Sequence, residues 1–249
     1  MEGYGASTYG ERIAGIYDAL HPAEQLDTDA TVDFLAERAG SGPVLELAIG
    51  TGRVALPLIG RGIDVRGVDA SEKMVARLRA KDGGHDVPVV FGDFKDVPVE
   101  GRFSLIYLVF NTIYALDSQD EQVACLRNAA EHLNGDGLFV VDGFFPDVGR
   151  FDRGQRTQVN EVEVDRVLLD VSRHDPASQT ISSQHVIIGS GGIDMYPVHL
   201  RYIWPSELDL MARLAGLRLT ERFGGYREQP FTSASGMHVS VFTPDSLRA

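Results

Sequence analysis

Between residues 44 and 143, five short apolar runs alternate with amphipathic stretches, and this alternation constrains the fold more than any other feature. The runs are "PVLELAI", "IDVRGVD", "VPVVFGD", "FSLIYLVF" and "GLFVVDGF"; stretches with helical spacing cover 53–61, 71–82 and 119–133. A strand that is apolar along its whole length needs cover on both faces, which crossover helices on a parallel sheet provide. The pattern therefore predicts right-handed strand–helix–strand units.

Upstream, helices are expected over roughly 8–20 and 28–40, the second capped at Thr28 or Asp29, with Gly40 and Gly42 leading into the first strand. After residue 145 the texture changes. "EVEVDRVLLDVSRHD", "QTISSQHVIIG" and "MYPVHLRYIW" alternate polar with β-branched or aromatic residues, with turns at Asp175-Pro176 and 189–192. They read as three antiparallel strands. "PSELDLMARLAG" reads as a helix with Pro205 at its start, Ser206 as cap and Gly216 as its stop; "LRLTERFGGY" and "HVSVFTP" read as a closing antiparallel pair. Without an internal repeat or a low-complexity linker, the expectation is one domain, 1–249. Its parts are an N-terminal helical lid (1–42), a core (43–145), an antiparallel insertion (146–204) and a C-terminal helix with closing strands (205–249).

Acidic residues outnumber basic ones 36 to 23, a formal charge of −13, and no run of lysines or arginines forms a basic track. Such a surface repels phosphate backbones, so nucleic acid is not an expected partner; a small molecule, a peptide or a cationic amine suits it better. No apolar run approaches a membrane span, and the first twenty residues lack the build of a secretory signal, so the expected compartment is the cytoplasm. A single cysteine, Cys125, excludes an intrachain disulfide; helical spacing places it with Val123, Leu126 and Ala130 as a small core residue.

The first apolar run ends in "ELAIGTGRVAL", residues 46–56. Gly50, Gly52 and Ala55 fit the G-x-G-x-x-[GA] turn of nucleotide-binding strands, and Asp69 closes "VRGVD" nineteen residues after Gly50. A carboxylate there accepts hydrogen bonds from two ribose hydroxyls, whether the nucleoside belongs to NAD or to S-adenosylmethionine. Three features separate these. Glu46 beside the turn repels a pyrophosphate but suits a sulfonium or an ammonium. "FGDF" offers Asp93 to an adenine amino group and the Phe94 amide to a ring nitrogen. No Tyr-x-x-x-Lys pair of short-chain dehydrogenases is present.

"VLELAIGTGRVALPL", "VRGVDASEKM", "VVFGDFKDVP" and "FSLIYLVFNTIYAL" resemble, in order and spacing, the successive motifs of class I S-adenosylmethionine-dependent methyltransferases, and the resemblance covers nearly the whole chain. It implies a Rossmann-like α/β fold: a seven-stranded, mostly parallel sheet with the helical lid and a three-stranded insertion after strand five. By position, Glu46, Ala48, Gly50 and Gly52 would line the methionine side of the cofactor and Asp69 would hold the ribose. Ala70 and Met74 would flank it, Asp93 and Phe94 would frame the adenine, and Leu108 with Val109 would present backbone near the methionine amine. Arg53 follows the glycines, either pairing with an anion or solvated at a helix start. "YDAL", the insertion and the ending "FGGYREQPF…HVSVF" are similar to bacterial small-molecule N-methyltransferases, those of amino sugars and peptide amino termini.

The resemblance implies transfer of a methyl group to an amine; a hydroxyl acceptor is the alternative within the class, a nicotinamide-dependent dehydrogenase the alternative outside it. Acceptor candidates on the lid are Tyr9, Tyr17 and His21; Tyr17 either closes over the methionine carboxylate or packs between helices. After strand four, "VFNTIYAL" lacks the (Asp/Asn)-Pro-Pro-aromatic element of exocyclic-amine methyltransferases acting on DNA or glutamine. Asn111, Thr112 and Tyr114 stand in that place instead. On one insertion strand, His199 and Arg201 share a face with Ile203, and Tyr202 and Trp204 share the other. Catalytic candidates are Tyr17, Asn111 and His199; acceptor candidates add Tyr9, His21, Tyr114 and Trp204. Asp142, a lone carboxylate, is read as structural, and no metal is expected. His85, His132, His174, His185 and His238 are read as structural or exposed. A homodimer is compatible with this reading.

Overall fold

In the computed structural model, which describes residues 1–23 and 25–245, the central strand β1 (Val44–Leu47) is buried at all four positions. Ahead of it run α1 (Thr8–Ile13), α2 (Tyr17–Leu20) and α3 (Thr28–Arg38). After it come α4 (Ala55–Gly60), β2 (Val65–Asp69), α5 (Glu72–Arg79), β3 (Val89–Phe91), β4 (Phe103–Leu108), α6 (Gln119–His132) and β5 (Leu133–Phe144). The chain ends through α7 (Pro205–Leu214), β10 (Leu217–Phe223) and β11 (Met237–Pro244). These strands form one seven-stranded sheet in the order β10-β11-β5-β4-β1-β2-β3, in which β11 alone runs against its neighbours.

Strand alternation divides the apolar runs between two cores. Leu45, Leu47, Ile106, Leu108 and Phe139 face α6 and α7, whereas Val44, Leu105, Tyr107 and Val140 face α3 and α4. Both faces are covered except at the edge strand β3, where Val90 and Phe91 are 40% and 47% exposed. Cys125 is fully buried in the first core, and burial pushes its thiol up.

Between β5 and α7 lies a separate antiparallel sheet of four strands, one more than the sequence predicts: β6 (Gln155–Val162), β7 (Arg166–Asp175), β8 (Thr180–Gly189) and β9 (Gly192–Arg201). "EVEVDRVLL" is two strands joined by a tight turn, closed by the Glu163 N–H donating to Arg166 O at 2.7 Å, with Val164 fully exposed at the tip. Nothing in the alternation marks that reversal, because both strands keep the same period.

Three helix expectations also change. The helix expected over 8–20 breaks around Gly15, a poor helix former, and the break turns Tyr17 inward. Neither Thr28 nor Asp29 caps α3; Asp27 holds the cap position at φ 48° and spends its carboxylate on Arg227 instead, at 2.7 Å. In α7 the cap position falls on Trp204 and Ser206 is already helical. Among the described residues no helix is long and apolar enough to cross a membrane.

Candidate functional site

The turn after β1 carries positive φ at Ala48, Gly50 and Gly52. At Gly52 (φ 77°) a Cβ would stand 2.3 Å from Leu78 Cδ1, so glycine serves both conformation and space. The turn is fastened to the end of β2: Asp69 Oδ2 accepts from the Gly50 N–H at 2.7 Å and Oδ1 from the Ser71 N–H at 2.8 Å. Each oxygen keeps a lone pair for a hydroxyl donor. Burial raises the Asp69 carboxyl above the usual range, although the Ser71, Gly50 and Ala70 amides pull against that.

Glu46 is buried on β1 and accepts from the Tyr107 hydroxyl at 2.9 Å. Burial lifts its carboxyl to about 8, against the Tyr107 hydrogen bond and the nearby Arg53. Arg53 donates to Thr28 Oγ1 at 3.0 Å and lies over the Phe110 ring at 5.2 Å, beside Tyr17. Its buried Nε has no hydrogen-bond partner among the described residues. An orphaned guanidinium donor on a cavity wall fits a ligand carboxylate, and a buried carboxyl a short distance away fits a ligand ammonium. With the Asp69 lone pairs, these residues fit an α-amino acid joined to a ribose.

Phe110 and Asn111, just past β4, are consecutive residues with positive φ, 66° and 60°. Strain of this kind, about 1–3 kcal/mol per residue, persists only where surroundings hold it. Asp142 on β5 accepts from the Phe110 and Asn111 N–H groups, at 2.9 and 2.6 Å, and from the Tyr226 hydroxyl at 2.7 Å. Asn111 Oδ1 accepts from the Phe144 N–H at 2.5 Å. The clamp sets the Phe110 ring 5.2 Å from that of His21. Asp142 is thus structural, as read from sequence, with a task that the sequence did not reveal.

A cavity of about 430 Å³ opens over these groups. It brings together Glu46, Ala48, Gly50, Arg53, Asp69 and Met74 on the strand-end side. Asp93 and Phe94 line it too, Asp93 engaged by Lys95 Nζ at 3.4 Å. From the lid and from the turn after β4 come Tyr9, Tyr17, His21, Asn111 and Thr112. The Tyr9 hydroxyl lies 3.2 Å from His21 Nε2, and burial, with His185 and Arg53 nearby, lowers His21 to about 4.

Six expected residues do not line it. Gly52 packs on Leu78 beneath the turn, Ala70 gives way to Ser71, and Leu108 is buried while Val109 takes the wall. Tyr114 is fully buried, with its hydroxyl donating to the carbonyls of Phe144 and Ile203. Trp204 packs against Phe145 and Tyr202. His199 on β9 is not a wall residue, although its neighbours Val198 and Leu200 are; its Nδ1 meets Ser182 Oγ at 2.8 Å and its Nε2 lies 3.8 Å from Asp117. Sequence reasoning missed Tyr4, Ser71, Phe110, Glu121 and His185 on the wall. No local pattern announces His185, which stands opposite its partners only once strands pair.

Comparison with known proteins agrees with this geometry. Residues 44–137 match a family model described as a methyltransferase domain. The chain is 31% identical over 195 residues to a cypemycin N-terminal methyltransferase from a Streptomyces species, covering 77% of this chain and 79% of that one. It is 31% identical over 147 residues to a dTDP-3-amino-3,6-dideoxy-alpha-D-glucopyranose N,N-dimethyltransferase from Streptomyces fradiae, covering 56% of each. The structure of the CcbJ methyltransferase from Streptomyces caelestis superposes with a TM-score of 0.92 at 40% identity, over 98% of this chain and 100% of that one.

Proposed function

The chain belongs to the S-adenosylmethionine-dependent methyltransferases, and from that premise we propose that it methylates an amine, either of a small molecule such as an amino sugar or at a peptide amino terminus. When bound, S-adenosylmethionine supplies a methyl carbon already activated by the sulfonium. The chain's own residues then have three tasks. Asp69 receives the ribose hydroxyls, Glu46 the methionine ammonium, and Arg53 with Tyr17 the methionine carboxylate. Met74, Asp93 and Phe94 frame the adenine. The wall formed by Tyr9, His21, Phe110 and Asn111 holds the acceptor in line with the methyl group and keeps water out.

The observation that carries the amine reading is the charge of the cavity wall. Asp69, Asp93, Asp117 and Glu121 face it, against Arg53 and Lys95, with Glu46 ready to ionise beside a cation. An acid-rich wall concentrates cations, and the acceptors named for the two relatives above are amines.

Compartment and assembly belong to the same reading. One cysteine, fully buried, suits the reducing cytoplasm. A homodimer is supported by the outer face of the four-stranded sheet, where Val171, Ile188 and Ile193 are 43%, 41% and 66% exposed.

Titration calorimetry tests the cofactor side: S-adenosylhomocysteine binds, NADH does not, and Asp69→Ala weakens the first by about 100-fold or more, as loss of a charged hydrogen-bonding group does. Mass gain on a panel of amines and alcohols then tests the acceptor side. Gain on alcohols alone overturns the amine reading.

A further inference from the structure

A second cavity, of about 830 Å³, lies between the lid and the four-stranded sheet, and it shares two wall residues with the first, His21 and His185. The two histidines therefore stand where the cavities meet. They are the two imidazoles among the residues lining either cavity.

Only one of them has a carboxylate behind it. Strand register places Asp170 on β7 and Tyr196 on β9 directly opposite His185 on β8. His185 Nδ1 lies 3.4 Å from Asp170 Oδ2. The other oxygen of Asp170 accepts from Ser172 Oγ, which lies 2.8 Å from Ser183 Oγ, so the carboxylate is fixed from both sides. Burial works to raise the Asp170 carboxyl, but hydrogen bonds from His185 and Ser172, with Arg156 nearby, outweigh it and hold the group below the usual range. An ionised carboxylate is an acceptor only; a neutral imidazole facing it therefore carries its proton on Nδ1 and turns the Nε2 lone pair outward. This is the arrangement in which a third group orients a base. His21 is the weaker candidate: its Nε2 meets the Tyr9 hydroxyl and its basicity is depressed to about 4.

We propose that His185, held by Asp170, takes the proton from the acceptor's ammonium group before methyl transfer. This rests on the amine reading above. The acceptor enters as R–NH3+; Nε2 of His185 takes one proton and leaves the nitrogen lone pair free. That pair forms the N–C bond as the C–S bond breaks, sulfur keeps the bonding electrons, and the product leaves as a methylated ammonium. The proton on His185 passes to water through the outer cavity, whose wall carries Asn160, Glu161, Arg166, Asp194 and Tyr196. The charged and titratable groups facing His185 are Asp170 from β7, Tyr196 and Asp194 from β9, and His21 from the lid; Arg156 on β6 acts on it through Asp170.

The test uses the full-length chain and the amine turned over best in the panel above. His185→Gln is expected to lower kcat at pH 7 by about 100-fold or more, with KM changed less than about threefold, and to recover rate as pH rises toward the range where the amine deprotonates unaided. Affinity for S-adenosylhomocysteine stays unchanged. Asp170→Asn gives a smaller loss, about tenfold, and moves the acid limb of the wild-type kcat profile. In histidine-labelled wild-type protein, NMR titration of His185 coincides with that limb. A His185→Gln enzyme that keeps a third or more of wild-type kcat at pH 7 overturns the proposal, as does an acid limb that does not follow the His185 signal. The NMR comparison decides the matter even where a variant fails to fold. If the wild type binds S-adenosylhomocysteine but methylates no amine, it is the amine reading that has failed.

Discussion

The seven-stranded and four-stranded sheets supply opposite parts of one cavity and do so by different means. The larger sheet is buried on both faces through its central strands and offers ligands its strand ends: the glycine turn after β1, Asp69 at the end of β2, and the Phe110–Asn111 turn after β4. The smaller sheet has one face on the cavity and the other partly open, with Val171 and Ile188 exposed, and it offers side chains from the middle of strands. One half of the site is therefore made by backbone turns of fixed local geometry. The other is made by residues that meet only through register.

The contrast predicts unequal tolerance. Gly52→Val is expected to have the largest effect. Left-handed φ for a β-branched residue and a clash with Leu78 together cost about 5 kcal/mol, lowering Tm by roughly 10–20 °C in a thermal melt. A shift of a few degrees would break the comparison.

Next comes the pH response of Glu46. With its carboxyl raised from an ordinary 4.5 to about 8, the folded chain keeps a proton that the unfolded chain has lost. Stability must fall as pH rises through that window, on the order of 5 kcal/mol, and level off above it. Denaturant titrations across the window should show this slope in the wild type and its loss in Glu46→Gln. A ligand ammonium favours the ionised form, so S-adenosylhomocysteine binding near pH 7 should release a proton, seen calorimetrically as a heat that depends on the buffer. A buffer-independent heat would remove Glu46 from the ammonium site.

Asp142→Asn is a subtler probe. It turns one of two acceptors into a donor facing an N–H, which should cost about 2 kcal/mol in denaturant unfolding. Freed from its clamp, the Phe110 turn should also weaken S-adenosylhomocysteine binding more than a remote change of equal cost. Smallest of all, Ile188→Thr on the open face of β8 should move stability by no more than about 0.5 kcal/mol, while light scattering reports a shift from dimer to monomer. An unchanged mass would sharpen the comparison differently, leaving that face without a partner copy.

The same division explains what could be read from the sequence. Gly50, Asp69 and Glu46 are legible as wall residues because their place is set within a few residues of a strand end, where spacing is nearly geometry. Even so, the sequence leaves Arg53 between an anion partner and solvent, and its unpartnered Nε on the wall supports the first. His199 and His185 show the opposite case. Period-two alternation puts residues on faces but does not say which face meets the cavity, and the hidden hairpin at 163–165 decides which strand stands beside β8. Tyr114 was misplaced for another reason: its hydroxyl satisfies two carbonyls inside the core, a demand no local pattern announces.

The lid closes the site only through distant partners. Glu11 accepts from Ser71 Oγ at 2.8 Å, Asp18 from Thr51 Oγ1 at 2.6 Å, and Tyr9, Tyr17 and Ile13 cluster with Met74, Phe110 and Tyr196. Thr51, Ser71, Met74 and Phe110 come from the nucleotide-binding half, but Tyr196 joins the cluster only after the four-stranded sheet is made. The lid thus settles fully only after a strand far along the chain has folded, and a nucleotide fold without that strand lacks one wall of its site.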